Sequence, residues 1–191
     1  MGRQPNIKEV FNLEINLERD SIIIAGSGNV AWNVYRFASI LGYDITVIDS
    51  QAETLTKERF PQARLLLGDI VALLKDCEIT PTTSIVVLTH NHEFDEPVLQ
   101  AVVESPARYI GIMGNKRKVT AYLANLMELG VGEEHLVKIH LPIGLDLGGE
   151  MSADIALAAV AEIQAVRFGR SGSFVSVQDV TRTGQVHDDL Y

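Results

Sequence analysis

The 191-residue chain is predicted to form a doubly wound α/β fold, a mostly parallel sheet with helices on both faces. Two observations predict it. Short apolar runs alternate with stretches of helical period along most of the chain. The pattern opens with a strand–turn–helix–strand unit of about thirty residues, the length of a βαβ unit. Apolar residues make up 47% of the chain, enough for one sizeable core without a disulfide or metal staple. At roughly 150 residues per domain, one domain is expected. We place it at 21–170, after an N-terminal extension at 1–20 and before a polar C-terminal tail at 171–191.

Each element has its own reason. Phe11, Leu13 and Ile15 alternate with polar neighbours, as in a short half-buried strand. Ser21-Ile22-Ile23-Ile24-Ala25 is a buried strand that runs into a glycine turn. Val30, Val34, Phe37, Ala38 and Leu41 then recur at helical spacing, and Gly42 ends that helix. A second strand covers 43–48, with Asp49 at its end, and a third covers 64–67. A helix is expected at 70–75, and a wholly apolar fourth strand at 84–89. A polar loop at 90–95 leads to a helix at 97–105 and a fifth strand at 109–113. The spacing of Val119, Leu123, Leu126 and Leu129 predicts a long helix over 115–130. One or two helical turns follow at 133–138, then an extended piece at 139–142, a glycine-rich loop at 144–149 and an alanine-rich helix at 151–168. Five apolar strands of this kind are covered on both faces, so the sheet is Rossmann-like.

Sixteen basic against twenty-five acidic residues give a net charge of −9. That excludes non-specific attraction to nucleic acid or to an anionic membrane. No apolar run approaches the length of a membrane span, and the first residues lack a signal-peptide core. A cytoplasmic, soluble protein is expected. The one cysteine, Cys77, precludes an intrachain disulfide and reads as a small, semi-buried apolar residue.

In doubly wound sheets ligands bind beyond the C-terminal ends of the strands, which selects four loops. The first, Gly26-Ser27-Gly28-Asn29-Val30-Ala31, is a G-x-G-x-x-A turn between strand and helix. Its glycines suit a tight turn and close approach of a pyrophosphate, and the helix N-terminus attracts phosphate. Asp49 is the expected acceptor for ribose hydroxyls. No arginine follows it at 50–51, which favours NAD over NADP if the ligand is a pyridine dinucleotide. Asp69 is a candidate contact to a base or a cap for the following helix. The second loop holds Thr89, His90 and His92, with the two histidines on one face if the segment is extended. We expect them to hydrogen-bond a ligand rather than to form a metal site, since no third ligand is evident. The third loop holds Gly114, Asn115, Lys116 and Arg117. The cations at 116–118 oppose the helix dipole unless an anion is bound there. The fourth is the glycine-rich loop containing Gly144. Tyr-x-x-x-Lys, G-x-S-x-G and Walker A patterns are absent.

The segments Val87-Leu88-Thr89-His90-Asn91-His92, Gly111-Ile112-Met113-Gly114-Asn115-Lys116-Arg117-Lys118 and 139–148 follow the glycine turn in this order. Together, from about Ser21 to Arg170, they resemble the Rossmann domain of the XdhC/CoxI family, the accessory proteins of xanthine dehydrogenase and related molybdenum hydroxylases. The resemblance implies binding of molybdenum cofactor, a pterin carrying a phosphate or nucleotide, and its delivery to a hydroxylase apoenzyme. It implies a carrier rather than a catalyst. Asn29 stands where the family turn usually has histidine. Family members usually carry a further N-terminal domain that residues 1–20 do not supply, so its contacts are expected either to be missing or to come from another chain. Two other classes fit the residues alone. One is an NAD-dependent oxidoreductase with His90 or His92 as proton donor, and the other a nucleotide-sensing regulatory domain. The tail after Gly169 suggests a homo-oligomer contact.

Overall fold

A computed structural model describes residues 19–89, 95–114 and 116–175, with the side chains at 95 and 116–120 outside that description. The strand expected around Phe11 lies outside the described residues. Six strands form one parallel sheet in the order β3-β2-β1-β4-β5-β6. They are β1 (Ser21–Ala25), β2 (Asp44–Asp49), β3 (Arg64–Leu67), β4 (Thr83–Val87), β5 (Tyr109–Ile112) and β6 (Ile139–His140). Among the described residues the helices are α1 (Asn29–Ile40), α2 (Ile70–Lys75), α3 (Asp95–Val102), α4 (Lys116–Glu128), α5 (Glu133–Leu136) and α6 (Ser152–Arg167). None of them is long and apolar enough to cross a membrane. The fold is the doubly wound one expected, with a sixth strand where the sequence suggested only an extended piece.

Side-chain alternation along the strands divides the core into two layers. Ile22 and Ile24 of β1, Val47 of β2 and Val86 of β4 face α1 and α6, where Val34, Ala38, Ala159 and Ile163 cover them. Ile23, Ala25, Ile48, Ile85 and Val87 face the other side and meet Ile70, Leu74, Val98, Leu99 and Leu126. Each large apolar side chain buried in this way stabilises the fold by about 1.5–3 kcal/mol. The buried alanines of α6, Ala156 and Ala159, give it a smooth face toward the sheet and α1. Ile40, Leu41 and Leu157 line an exposed apolar groove between these two helices.

The chain runs outward from β1 through β2 to β3, then returns to start β4 on the other side of β1. The switch point therefore lies between β1 and β4. Beyond the strand ends, the backbone keeps pairing for one more step. Gly26 N–H donates to the Ile48 carbonyl at 2.8 Å, Leu88 N–H to Ala25 at 2.8 Å and Met113 N–H to Val87 at 3.0 Å. Gly68 N–H donates to Asp49 at 3.0 Å and Ile143 N–H to Ile112 at 2.9 Å. The loops that carry the candidate residues thus leave from one aligned rim.

The opposite edge is held by Asp20. Its carboxylate accepts from Arg108 Nη1 at 2.6 Å and from Arg167 Nη2 at 2.7 Å. Its carbonyl accepts from Asp44 N–H at 3.1 Å. The Arg167 guanidinium also stands 5.2 Å from the Tyr43 ring. This joins the starts of β1, β2 and β5 to the end of α6. Because all three side chains are largely shielded, we predict that Asp20→Ala lowers the unfolding free energy by about 1.5–3 kcal/mol. Asp44→Ala, which removes only an exposed 3.8 Å pair with Arg19, should change it by less than about 1 kcal/mol. Urea titration of both variants checks the contrast, and equal losses would refute it.

Candidate functional site

The site is built on the β1–α1 turn. Gly26 has φ +113°, and a Cβ there would lie 2.4 Å from the Leu88 carbonyl oxygen. Both facts demand glycine, and together they seat the turn directly on the end of β4. Gly28 is the N-cap of α1, and no side chain caps that end. The first-turn N–H groups of a helix lack intrahelical partners and favour an anion. α1 has no acidic residue in its first turn. Val30 is half-buried in the same turn, packed against the core on the α1 side.

Polar contacts fix the turn from below. Ser27 is fully buried, and its hydroxyl donates to Asp49 Oδ2 at 2.6 Å. With its proton so used, Ser27 accepts from the Thr54 hydroxyl at 2.5 Å. The other carboxylate oxygen of Asp49 accepts from Gln51 N–H at 3.1 Å, and the residue is 4% exposed. Asn33, one turn into α1, donates to the Asn29 carbonyl at 3.0 Å and to the Ser152 hydroxyl at 3.2 Å. Ser152 opens α6, so the N-terminal ends of α1 and α6 lie side by side. Arg59 reaches the turn from the β2–β3 connection. Its Nη2 donates to the Gly28 carbonyl at 3.2 Å and lies 3.5 Å from Asn29 Oδ1.

A second polar cluster holds the glycine-rich loop. Glu162 of α6 accepts from the Tyr109 hydroxyl at 2.5 Å and from Gly144 N–H at 2.9 Å, both at Oε2. Its Oε1 lies 3.2 Å from His140 Nδ1, and the His140 ring stacks on Tyr109 with centroids 4.4 Å apart. Gly144 has φ +103°, and a Cβ there would press at 3.0 Å on Ala158 of α6. Burial by itself would raise the pKa of Glu162. The hydrogen bonds from His140, Tyr109 and Gly144 outweigh it and hold the carboxyl below its ordinary value. Burial first, and then the Glu162 charge, push the Tyr109 hydroxyl up.

The structure brings Gly26, Ser27, Gly28, Asn29, Val30, Asp49 and Thr89 together around the switch point. Thr89 is buried at the end of β4, with its backbone nitrogen against Gly26. Asp69 caps α2, where its carboxylate accepts from Ala72 N–H at 2.7 Å. Gly114 follows β5 at the rim, and Gly144 lies further along it, against α6. Lys116 and Arg117 begin α4. His90, His92 and Asn115 lie outside the described residues. Sequence reasoning missed Arg59, Thr54 and the Tyr109–His140–Glu162 cluster. Asn33 and Glu162 stood on helical faces with nothing to distinguish them from solvated residues. The segment at 50–63 has no helical or strand period, so the reach of Arg59 was not legible.

The Glu162 cluster makes stability depend on pH. A carboxyl with a lowered native pKa contributes fully above its unfolded value, near 4.5, and loses that contribution as the pH falls through the native value. We predict that Glu162→Gln is less stable than the parent by about 1–3 kcal/mol at neutral pH. The gap should close as the pH drops below that value. Denaturant unfolding at several pH values checks this, and a gap that widens on acidification would refute it.

Comparison with known proteins agrees with the fold. Residues 22–163 match the family described as the XdhC Rossmann domain. The protein YqeB of Escherichia coli is 32% identical over 159 residues, covering 82% of this chain and 29% of that protein. The molybdenum cofactor insertion chaperone PaoD of Escherichia coli is 31% identical over 99 residues, covering 52% of this chain and 31% of that protein. A crystal structure described as a xanthine dehydrogenase from Bacillus halodurans superposes with a TM-score of 0.68 at 27% identity. It covers 82% of this chain and 45% of that one. The chain thus spans less than a third of the two relatives and less than half of the solved chain. With the match running from β1 into α6 and taking in the glycine turn, the chain belongs to the XdhC family.

Proposed function

We propose that this chain carries molybdenum cofactor for the maturation of a xanthine dehydrogenase-type hydroxylase, with the phosphate or nucleotide end of the cofactor on the turn at 26–30. The observation that carries this reading is the uncapped α1 N-terminus, seated at the β1–β4 switch point with no acid in its first turn. Such an end is suited to an anion, and the Gly26–Leu88 approach keeps side chains out of the way. The adjacent N-terminus of α6 is capped by Asp154 of its own first turn, so the open positive end is that of α1. The sequence also puts two cations, Lys116 and Arg117, at the start of α4, the helix that follows β5. The name of the PaoD relative supports the choice of cofactor, and the description of the Bacillus halodurans structure supports the link to xanthine dehydrogenase.

When bound, the cofactor supplies the redox chemistry of the acceptor hydroxylase. The residues of this chain bind and orient it. The 26–30 turn receives the anionic end, Asp49 and Thr54 hold Ser27 and so keep the turn in shape, and the 144–149 loop is fixed to α6 through Glu162. Turnover on this chain is not part of the reading.

We predict that the full chain, produced in cells that make molybdenum cofactor, co-elutes with a pterin on gel filtration. Mass spectrometry of the released ligand identifies it. Gly28→Val places a branched side chain where the phosphate approaches, so it should lose more than nine-tenths of the pterin with unchanged circular dichroism. A folded variant that keeps its pterin would refute the turn as the binding element. Steady NADH oxidation without bound pterin would favour an oxidoreductase.

A further inference from the structure

We infer that Arg59 is a phosphate-recognition residue of this site and that it, rather than Asp49, sets the ligand class, so that the turn selects a phosphate ester over a ribose diol. The inference rests on the proposed binding turn and deepens it.

Two charged groups stand beside the turn, and they face differently. Asp49 is turned inward. It is 4% exposed, Oδ2 receives the Ser27 hydroxyl and Oδ1 receives Gln51 N–H. It braces the turn and offers little to a ribose. Arg59 is only half-buried and crosses the mouth of α1, with Nη2 on the Gly28 carbonyl. Among the described residues no carboxylate pairs with it, and its Nε and Nη1 have no hydrogen-bond partner. Its position is built rather than incidental. The next residue, Phe60, is fully buried and packs edge-on against Tyr35 of α1, with centroids 5.3 Å apart. The Tyr35 hydroxyl in turn accepts from Gln62 N–H at 3.1 Å. The segment that carries Arg59 is therefore clamped to the same helix that presents the turn.

A guanidinium at a helix N-terminus opposes the helix dipole. A phosphate between them reverses both signs, and the free Nε and Nη1 donors can each give a charge-assisted hydrogen bond to a phosphate oxygen. Asn29 fits this arrangement. Its side chain does not cap α1 and instead turns its oxygen to Arg59.

The test uses the full chain with inorganic pyrophosphate as the probe, by calorimetry at low ionic strength. The wild type should bind pyrophosphate. Arg59→Gln should weaken that binding roughly ten- to hundredfold, while its melting temperature without pyrophosphate stays close to that of the parent. A folded R59Q that binds within threefold of the wild type would overturn the assignment of Arg59 and leave the turn reading intact. If R59Q does not fold, the Arg59 Nε–H signal of the wild type decides. It is assigned with Arg59→Lys and should shift on pyrophosphate titration, and a signal that does not move overturns the inference. A wild type that binds no pyrophosphate would overturn the turn reading itself, and this inference with it.

Discussion

The approach of Gly26 to the β4 backbone is the constraint on which the candidate site depends. At 2.4 Å from the Leu88 oxygen there is no space for a Cβ, and at φ +113° there is little tolerance for one. An alanine there would have to force the two strand ends apart. Because they stay together, the α1 N-terminus points out of the sheet at the place where strand order reverses. The sheet core, divided evenly between two apolar layers, supplies the rigidity that holds this position. The turn takes its geometry from the strands beneath it and from the buried Ser27–Asp49 bond.

Buried polar groups do different work at the two ends of the rim. Near β1, Asp49 stands in a chain of hydroxyl and amide donors that fixes the shape of a loop. Near β6, Glu162 collects a phenol, an imidazole and a backbone amide and thereby fixes a loop to a helix. Each carboxylate has both of its oxygens engaged, which is what makes burial tolerable. At the opposite edge of the sheet the same logic serves assembly, where Asp20 joins two arginines from distant parts of the chain.

Much of the architecture was legible in the residues. β1, β3 and α2 fall on the expected positions, because an apolar strand followed by a glycine or a capping acid leaves little choice of boundary. The glycine turn was legible for the same reason. β6 was not, since two residues are too short to show a period, and only pairing with β5 reveals them as a strand. Asp69 could be read two ways, and its 2.7 Å bond to Ala72 N–H shows it as a cap. Arg59 was beyond sequence reasoning altogether. Its place depends on Phe60 and Tyr35 meeting across about twenty-five positions of chain, a contact no local pattern encodes.

α6 touches both polar assemblies. Its first residue, Ser152, is bonded to Asn33 beside the glycine turn, and nearly three turns later Glu162 holds Gly144. Between them, Ala158 packs at 3.0 Å against the position a Gly144 side chain would take, and Ala156 and Ala159 lie flush with the core. The helix is thus a stiff lever with two fixed loads. A tilt about its alanine face would therefore displace the glycine-rich loop and the mouth of α1 together.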